Sequence, residues 1–206
     1  LANLDFVEIG LSLAVLLVSL TVHEAAHAWA ANQLGDPTAR ILGRLTLNPV
    51  AHIDPIGTLL FPLLAITTGL PLIGWAKPVP VDFRNLKSPR RDFAVVAAAG
   101  PVSNVILAVI GAVVFASLTV ASPSELLLGL VFSFVSLNVL LAVFNMLPIP
   151  PLDGGNVLIG VLPASSAGLV ERLRPFGFIV LYALMLTGVL WTLIGPLYRL
   201  ILGWLL

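Results

Sequence analysis

Residues 9–31 read IGLSLAVLLVSLTVHEAAHAWAA, a run long and apolar enough to cross a bilayer, since a transmembrane helix needs about 20 such residues. Yet His23, Glu24 and His27 sit inside it. Ionisable groups at bilayer depth cost on the order of a few kcal/mol per charge, so the fold must offset them. The rest of the chain indicates how.

Hydrophobic residues make up 59% of the 206 and charged residues only 10%, against about 25% charged in a soluble domain. Mean hydropathy is +1.08. The chain therefore reads as an all-α polytopic membrane protein with the lipid bilayer as its solvent. Its formal net charge is +0 and no basic block carries interleaved aromatics, which excludes a nucleic-acid partner. Cysteine is absent, which removes disulfides and thiolate metal sites. The length suits one membrane-embedded domain, residues 1–206, with no additional soluble domain. Nothing in the sequence sets an oligomeric state.

Four segments qualify as spans: about 6–32, 93–121, 126–147 and 178–204. In the last, Gly195–Pro196 reads as a kink or an end. A fifth segment, 56–76, is apolar but broken by Pro62, Gly69, Pro71 and Gly74. Cytoplasmic loops carry an excess of Lys and Arg. Arg40, Arg44, Lys77, Arg84, Lys87, Arg90, Arg91, Arg172 and Arg174 all fall on one side only if 56–76 enters and returns without crossing. The hairpin SPSE at 122–125 carries Glu125 and no cation. The expectation is four transmembrane helices plus a re-entrant or interfacial segment. After it, GWAKPVPVDF (74–83) should be extended, because Pro78 and Pro80 fix φ near −65° and push their predecessors out of the helical region. A short β element of this kind could pair with an unwound peptide.

His23 and His27 are four apart, so on a helix both imidazoles leave one face and can grip one metal ion. Glu24 follows the first His, within reach of water at that ion. This is the H-E-x-x-H pattern of zinc hydrolases, with Glu as general base. One Zn2+ ion would neutralise the carboxylate and take both imidazoles. A third protein ligand is then needed. His52, Asp54, Asp153 and the remaining acids are the candidates. Asp153 follows a span that ends at the Pro148, Pro150, Pro151 run, and Gly154–Gly155 permits a sharp turn there. An Asp at such a break either projects into the bundle or caps the next helix.

HEAAH at 23–27, AAGPVSN at 98–104 and FNMLPIPPLDGG at 144–155, in that order and spacing, resemble the site-2 protease family of intramembrane zinc metalloproteases. The likeness covers about residues 15–158. It implies that His23, His27 and Asp153 ligate zinc, that Glu24 is the general base, and that Asn145 binds substrate backbone or the oxyanion. It also matches Gly100 and Asn104 to a small-residue position and an Asn position, for close packing and a polar contact. NPVAHIDPIG at 48–57 is similar to a bacterial subgroup, where His52 and Asp54 would stand behind the ligands or join them. The short form read here has no PDZ or CBS domain.

The function implied is zinc-dependent hydrolysis of peptide bonds in or near transmembrane segments of membrane protein substrates, in a bacterial inner or plasma membrane with the active site toward the cytoplasm. A membrane zinc transporter or zinc-binding protein is one competitor. It would need polar groups on both sides of the ion, and residues 9–20 offer only Ser12 and Ser19. A lipid-directed zinc hydrolase is the other.

Overall fold

A computed structural model describes residues 6–61, 64, 75–121 and 123–206. Helix α1 is Phe6–Gln33, α2 is Pro89–Val120 and α3 is Glu125–Asn145; each is long and apolar enough to cross a membrane. Helix α2 begins with Pro89 in its first turn, where a missing N–H costs nothing, and Asp92 accepts from the Ser88 N–H at 2.7 Å. Ser124 caps α3 by accepting from Leu127 N–H. The helices α4 (Asp153–Val161), α5 (Ala164–Arg172), α6 (Gly177–Leu186) and α7 (Val189–Leu205) complete the described chain.

Helix α2 is the centre, packing on α1, α3 and α4. Its buried stripe is Ala97, Gly100, Pro101, Asn104, Ala108, Gly111 and Ala112, small residues recurring every three or four positions. Apolar residues gain little from association where lipid is the alternative, so close approach through small residues is what holds such helices together. A methyl group at Gly111 would come within 2.8 Å of Val135 Cγ2. One core joins Ala108 and Ala112 to Val135, Val139, Val143 and Ile194, and a second joins Ala30, Ala31 and Val96. The opposite face of α2 (Val102, Val105, Ile106, Val109, Ile110, Val113) is exposed, as a lipid-facing surface should be.

Two expectations change. The fourth span is a broken pair: α5–α6 meets α7 at 80°. The break lies at Gly188, in left-handed backbone with φ +75°, and Pro196 sits inside α7. A left-handed residue reverses the chain where only glycine does so freely, whereas a proline merely removes one helical hydrogen bond. The extended stretch 75–82 is present, yet no strand forms among the described residues. The re-entrant segment expected over 56–76 lies largely outside the described residues. Its flanks meet each other: Trp75 N–H donates to Gly57 O at 3.2 Å, and Thr58 Oγ1 donates to Trp75 O at 2.8 Å.

Candidate metal centre

His23 and His27 occupy one face of α1, six and ten residues from its end at Gln33 in reverse order, and both are buried. Asp153 opens α4, reached through the proline turn after α3. Gly154 and Gly155 allow that turn, since a Cβ would meet Met146 O at 2.3 Å and Pro150 N at 2.4 Å respectively. The far end of α4 is held by Arg90, whose guanidinium donates to Ile159 O and Leu162 O.

Among the described residues, one group of ligand-capable side chains converges: His23, His27 and Asp153. The two Nε2 atoms are 3.0 Å apart, and Asp153 Oδ2 lies 3.1 Å from the first and 3.4 Å from the second. A tetrahedral ion with arms of about 2.0–2.1 Å needs ligand separations of roughly 3.3 Å, so the triangle has the right size. Its chemistry is more telling. His27 Nδ1 is 2.7 Å from Val96 O, an acceptor only, so Nδ1 carries the proton and Nε2 presents a lone pair. His23 Nδ1 is likewise 2.6 Å from Asn104 Oδ1. Asp153 Oδ2 is buried with no hydrogen-bond partner. With both imidazoles neutral, three lone pairs face one another, an arrangement that a metal cation satisfies. Gly100 of α2 backs this space, where a Cβ would lie 2.4 Å from His27 Nε2 and 2.6 Å from His23 Nε2.

Glu24 is buried beside the triangle, and its Oε2 accepts from Val79 N–H at 3.1 Å. The extended stretch therefore passes over the site. Arg44, itself buried, donates to Lys77 O and Pro78 O, and Lys77 N–H donates to His52 O. Asp36 accepts from Asp82 N–H at 2.8 Å, from Asn85 Nδ2 at 2.9 Å and from Thr38. The main-chain groups of 77–79 engaged here are thus unavailable to a peptide laid alongside, which would have to pair elsewhere on the stretch.

The other anticipated residues fall as follows. Asn104 joins the site through His23. Asn145 donates from Nδ2 to Leu141 O of its own helix at 3.0 Å. His52 is buried with Nε2 at 2.9 Å from Thr46 O, and Asp54 accepts from Ile56 N–H and Gly57 N–H, so neither joins the converging group. Asp54 acts as a helix cap. Sequence reasoning missed Asp36, Arg44 and Asn138. The first two lie in polar loops without periodic pattern. Asn138 had a signal: it is an amide in the middle of the apolar run of α3.

The profile of Peptidase family M50 matches residues 119–188. The chain is 42% identical to a Bacillus subtilis (strain 168) protein named "Putative zinc metalloprotease YwhC", over 87% of this chain and 84% of that one. Rip2 proteins with the same descriptive name are similar too. The one from Mycolicibacterium smegmatis is 32% identical and the one from Mycobacterium tuberculosis (strain H37Rv) 34%, each over 84% of this chain and 66% of the relative. No solved structure matches the chain.

Proposed function

The chain belongs to peptidase family M50, the site-2 protease family, and is a metalloprotease with membrane-spanning helices; from that premise we propose a zinc-dependent intramembrane endopeptidase that cleaves in or near transmembrane segments of membrane protein substrates. The observation that carries this reading is the convergence of three ligand-capable atoms, from His23, His27 and Asp153, beside a buried Glu24. His23, His27 and Asp153 would hold the ion. When bound, zinc supplies Lewis acidity at this point.

The remaining work falls to the chain. Glu24 is the general base: Val79 N–H fixes Oε2 and so orients the carboxylate, and Oε1 takes a proton from water and returns it to the leaving amine. Such a group contributes about 10²–10⁴-fold. Asn145, with one N–H on Leu141 O, offers its other N–H to the developing oxyanion, a contact typically worth about 3 kcal/mol. The stretch 75–82, clamped by Arg44 and Asp36, roofs the site and holds an unwound substrate. The single membrane domain of 1–206 carries all of these groups.

Depth supports an intramembrane site. His27 and His23 lie six and ten residues before Gln33, which at 1.5 Å per residue is roughly 9–15 Å from the helix end. We place that end at the cytoplasmic face of a bacterial plasma membrane, where the loop cations gather.

Purified chain and a model transmembrane peptide test the reading. Glu24→Gln should keep one zinc per chain by metal analysis while cleavage falls about 10²–10⁴-fold. Asp153→Ala should lose the zinc. Undiminished cleavage by the first variant removes Glu24 from the chemistry, and full zinc occupancy in the second overturns the ligand set.

A further inference from the structure

Behind His23 a second set of polar side chains crosses the bundle. Ser19 of α1, Asn104 of α2 and Asn138 of α3 are each fully buried. Asn138 Nδ2 donates to Phe134 O and to Ser19 Oγ, both at 2.9 Å. Asn138 Oδ1 accepts from Asn104 Nδ2 at 2.8 Å, and Asn104 Oδ1 faces His23 Nδ1 at 2.6 Å. The orientation of an amide is normally inferred from its partners. Here one partner is decisive. Phe134 O is a main-chain carbonyl and can only accept, so the amide nitrogen of Asn138 must face it. The oxygen of Asn138 then faces Asn104 and demands a donor. Asn104 must therefore turn its nitrogen to Asn138 and its oxygen to His23, where only an Nδ1–H satisfies it. Polarity set by a carbonyl of α3 is passed through two amides to a ring on α1.

We propose that Asn138 is a positioning residue for the metal centre, acting through Asn104 to hold His23 with Nδ1 protonated and Nε2 directed at the ion. This rests on the reading of His23, His27 and Asp153 as ligands. His27 provides an internal comparison, because its Nδ1 is fixed by Val96 O and is not connected to the relay. Partners that orient a ligating histidine typically govern about 10–100-fold in metal affinity. Ser19 matters less, since Phe134 O alone sets the direction of the Asn138 amide.

The test uses the full chain in detergent, with Zn2+ affinity from chelator competition and the exchangeable imidazole N–H proton signals of the Co2+-loaded protein. The unsubstituted protein should show two such signals, from His23 and His27. Asn138→Leu should weaken Zn2+ binding about 10–100-fold and lose or shift the His23 signal while leaving that of His27. Asn104→Ala should weaken binding similarly, and adding Asn138→Leu to it should cost no further affinity, because the second residue works through the first. Ser19→Ala should change affinity less than about threefold. If the leucine variant does not fold, Asn138→Ser serves, its side chain being one bond too short to reach Asn104. Unchanged affinity, additive losses, or equal disturbance of both N–H signals would overturn the relay. Failure of the unsubstituted protein to bind Zn2+ or Co2+ would instead overturn the metal centre itself.

Discussion

A methyl group added at Gly100 would enter the space enclosed by His23, His27 and Asp153, since its nearest neighbours are the two imidazoles rather than apolar side chains. Gly100→Ala should therefore abolish stoichiometric zinc binding, by at least about 100-fold in affinity, and its clash with the two tethered rings should also cost the metal-free bundle about 1–3 kcal/mol. Metal analysis paired with a thermal melt in chelator checks this, and zinc retained at full occupancy would show that the ion lies elsewhere. At this scale the centre was legible where its logic is local. Two His four apart on a helix need no tertiary knowledge, and Glu24 comes with them. Asp153 was one candidate among several until the resemblance singled it out, because its contacts with α1 span more than a hundred residues of sequence. Asn138 stood out as an amide inside an apolar helix, but its role was hidden for the same reason: its partners are Ser19 and Asn104, on helices distant in the chain.

The stretch 75–82 shows how an element without regular hydrogen bonding is held. Side chains replace the ladder, among them Arg44 and, bound by Thr38, Asp82 and Asn85, Asp36. Burial alone would raise the pKa of its carboxyl, but hydrogen bonds from Thr38, Asn85 and Asp82 N–H outweigh it and hold the carboxyl below the ordinary range. A depressed native pKa contributes stability that is complete above the unfolded value, about 3.9, and is lost as pH falls through the native value. Hydrogen bonds to a charged group are worth about 1.5–3 kcal/mol each before compensation, so Asp36→Ala should lower the apparent melting temperature by roughly 5–10 °C. The gap should stay constant from pH 8 to 5 and narrow only below about pH 4. A gap that closes near neutrality would mean another group titrates. The extended character of this stretch was visible in Pro78 and Pro80, but its tethers were not, because Asp36 and Arg44 read as ordinary loop charges. In the last span it was the position of the break that differed. Gly195–Pro196 looked the stronger breaker, yet helices absorb a proline whose lost bond is tolerated, and an unremarkable glycine at 188 took the left-handed turn.

Across the whole molecule, sidedness follows from which loops touch. Asp36 lies just beyond α1 and Asn85 just before α2, and their side chains are hydrogen-bonded. We infer from this contact that the loops carrying Arg40 and Lys87 share one side of the membrane, which requires the chain between them to cross an even number of times. The meeting of Gly57 with Trp75 sets the same condition on the segment expected to be re-entrant. Hydropathy alone leaves this open, since 56–76 is apolar enough to cross; charge bias in the loops is what favours a segment that returns. The chain has no cysteine, so single substitutions report cleanly. In intact cells, a membrane-impermeant maleimide should leave Arg40→Cys and Lys87→Cys unlabelled and should label Ser124→Cys, which lies between α2 and α3 at the opposite end of both helices. Permeabilised cells should label all three. Labelling of position 87 but not 40 in intact cells would mean that 56–76 crosses, and the contact between Asp36 and Asn85 would have to be abandoned with it.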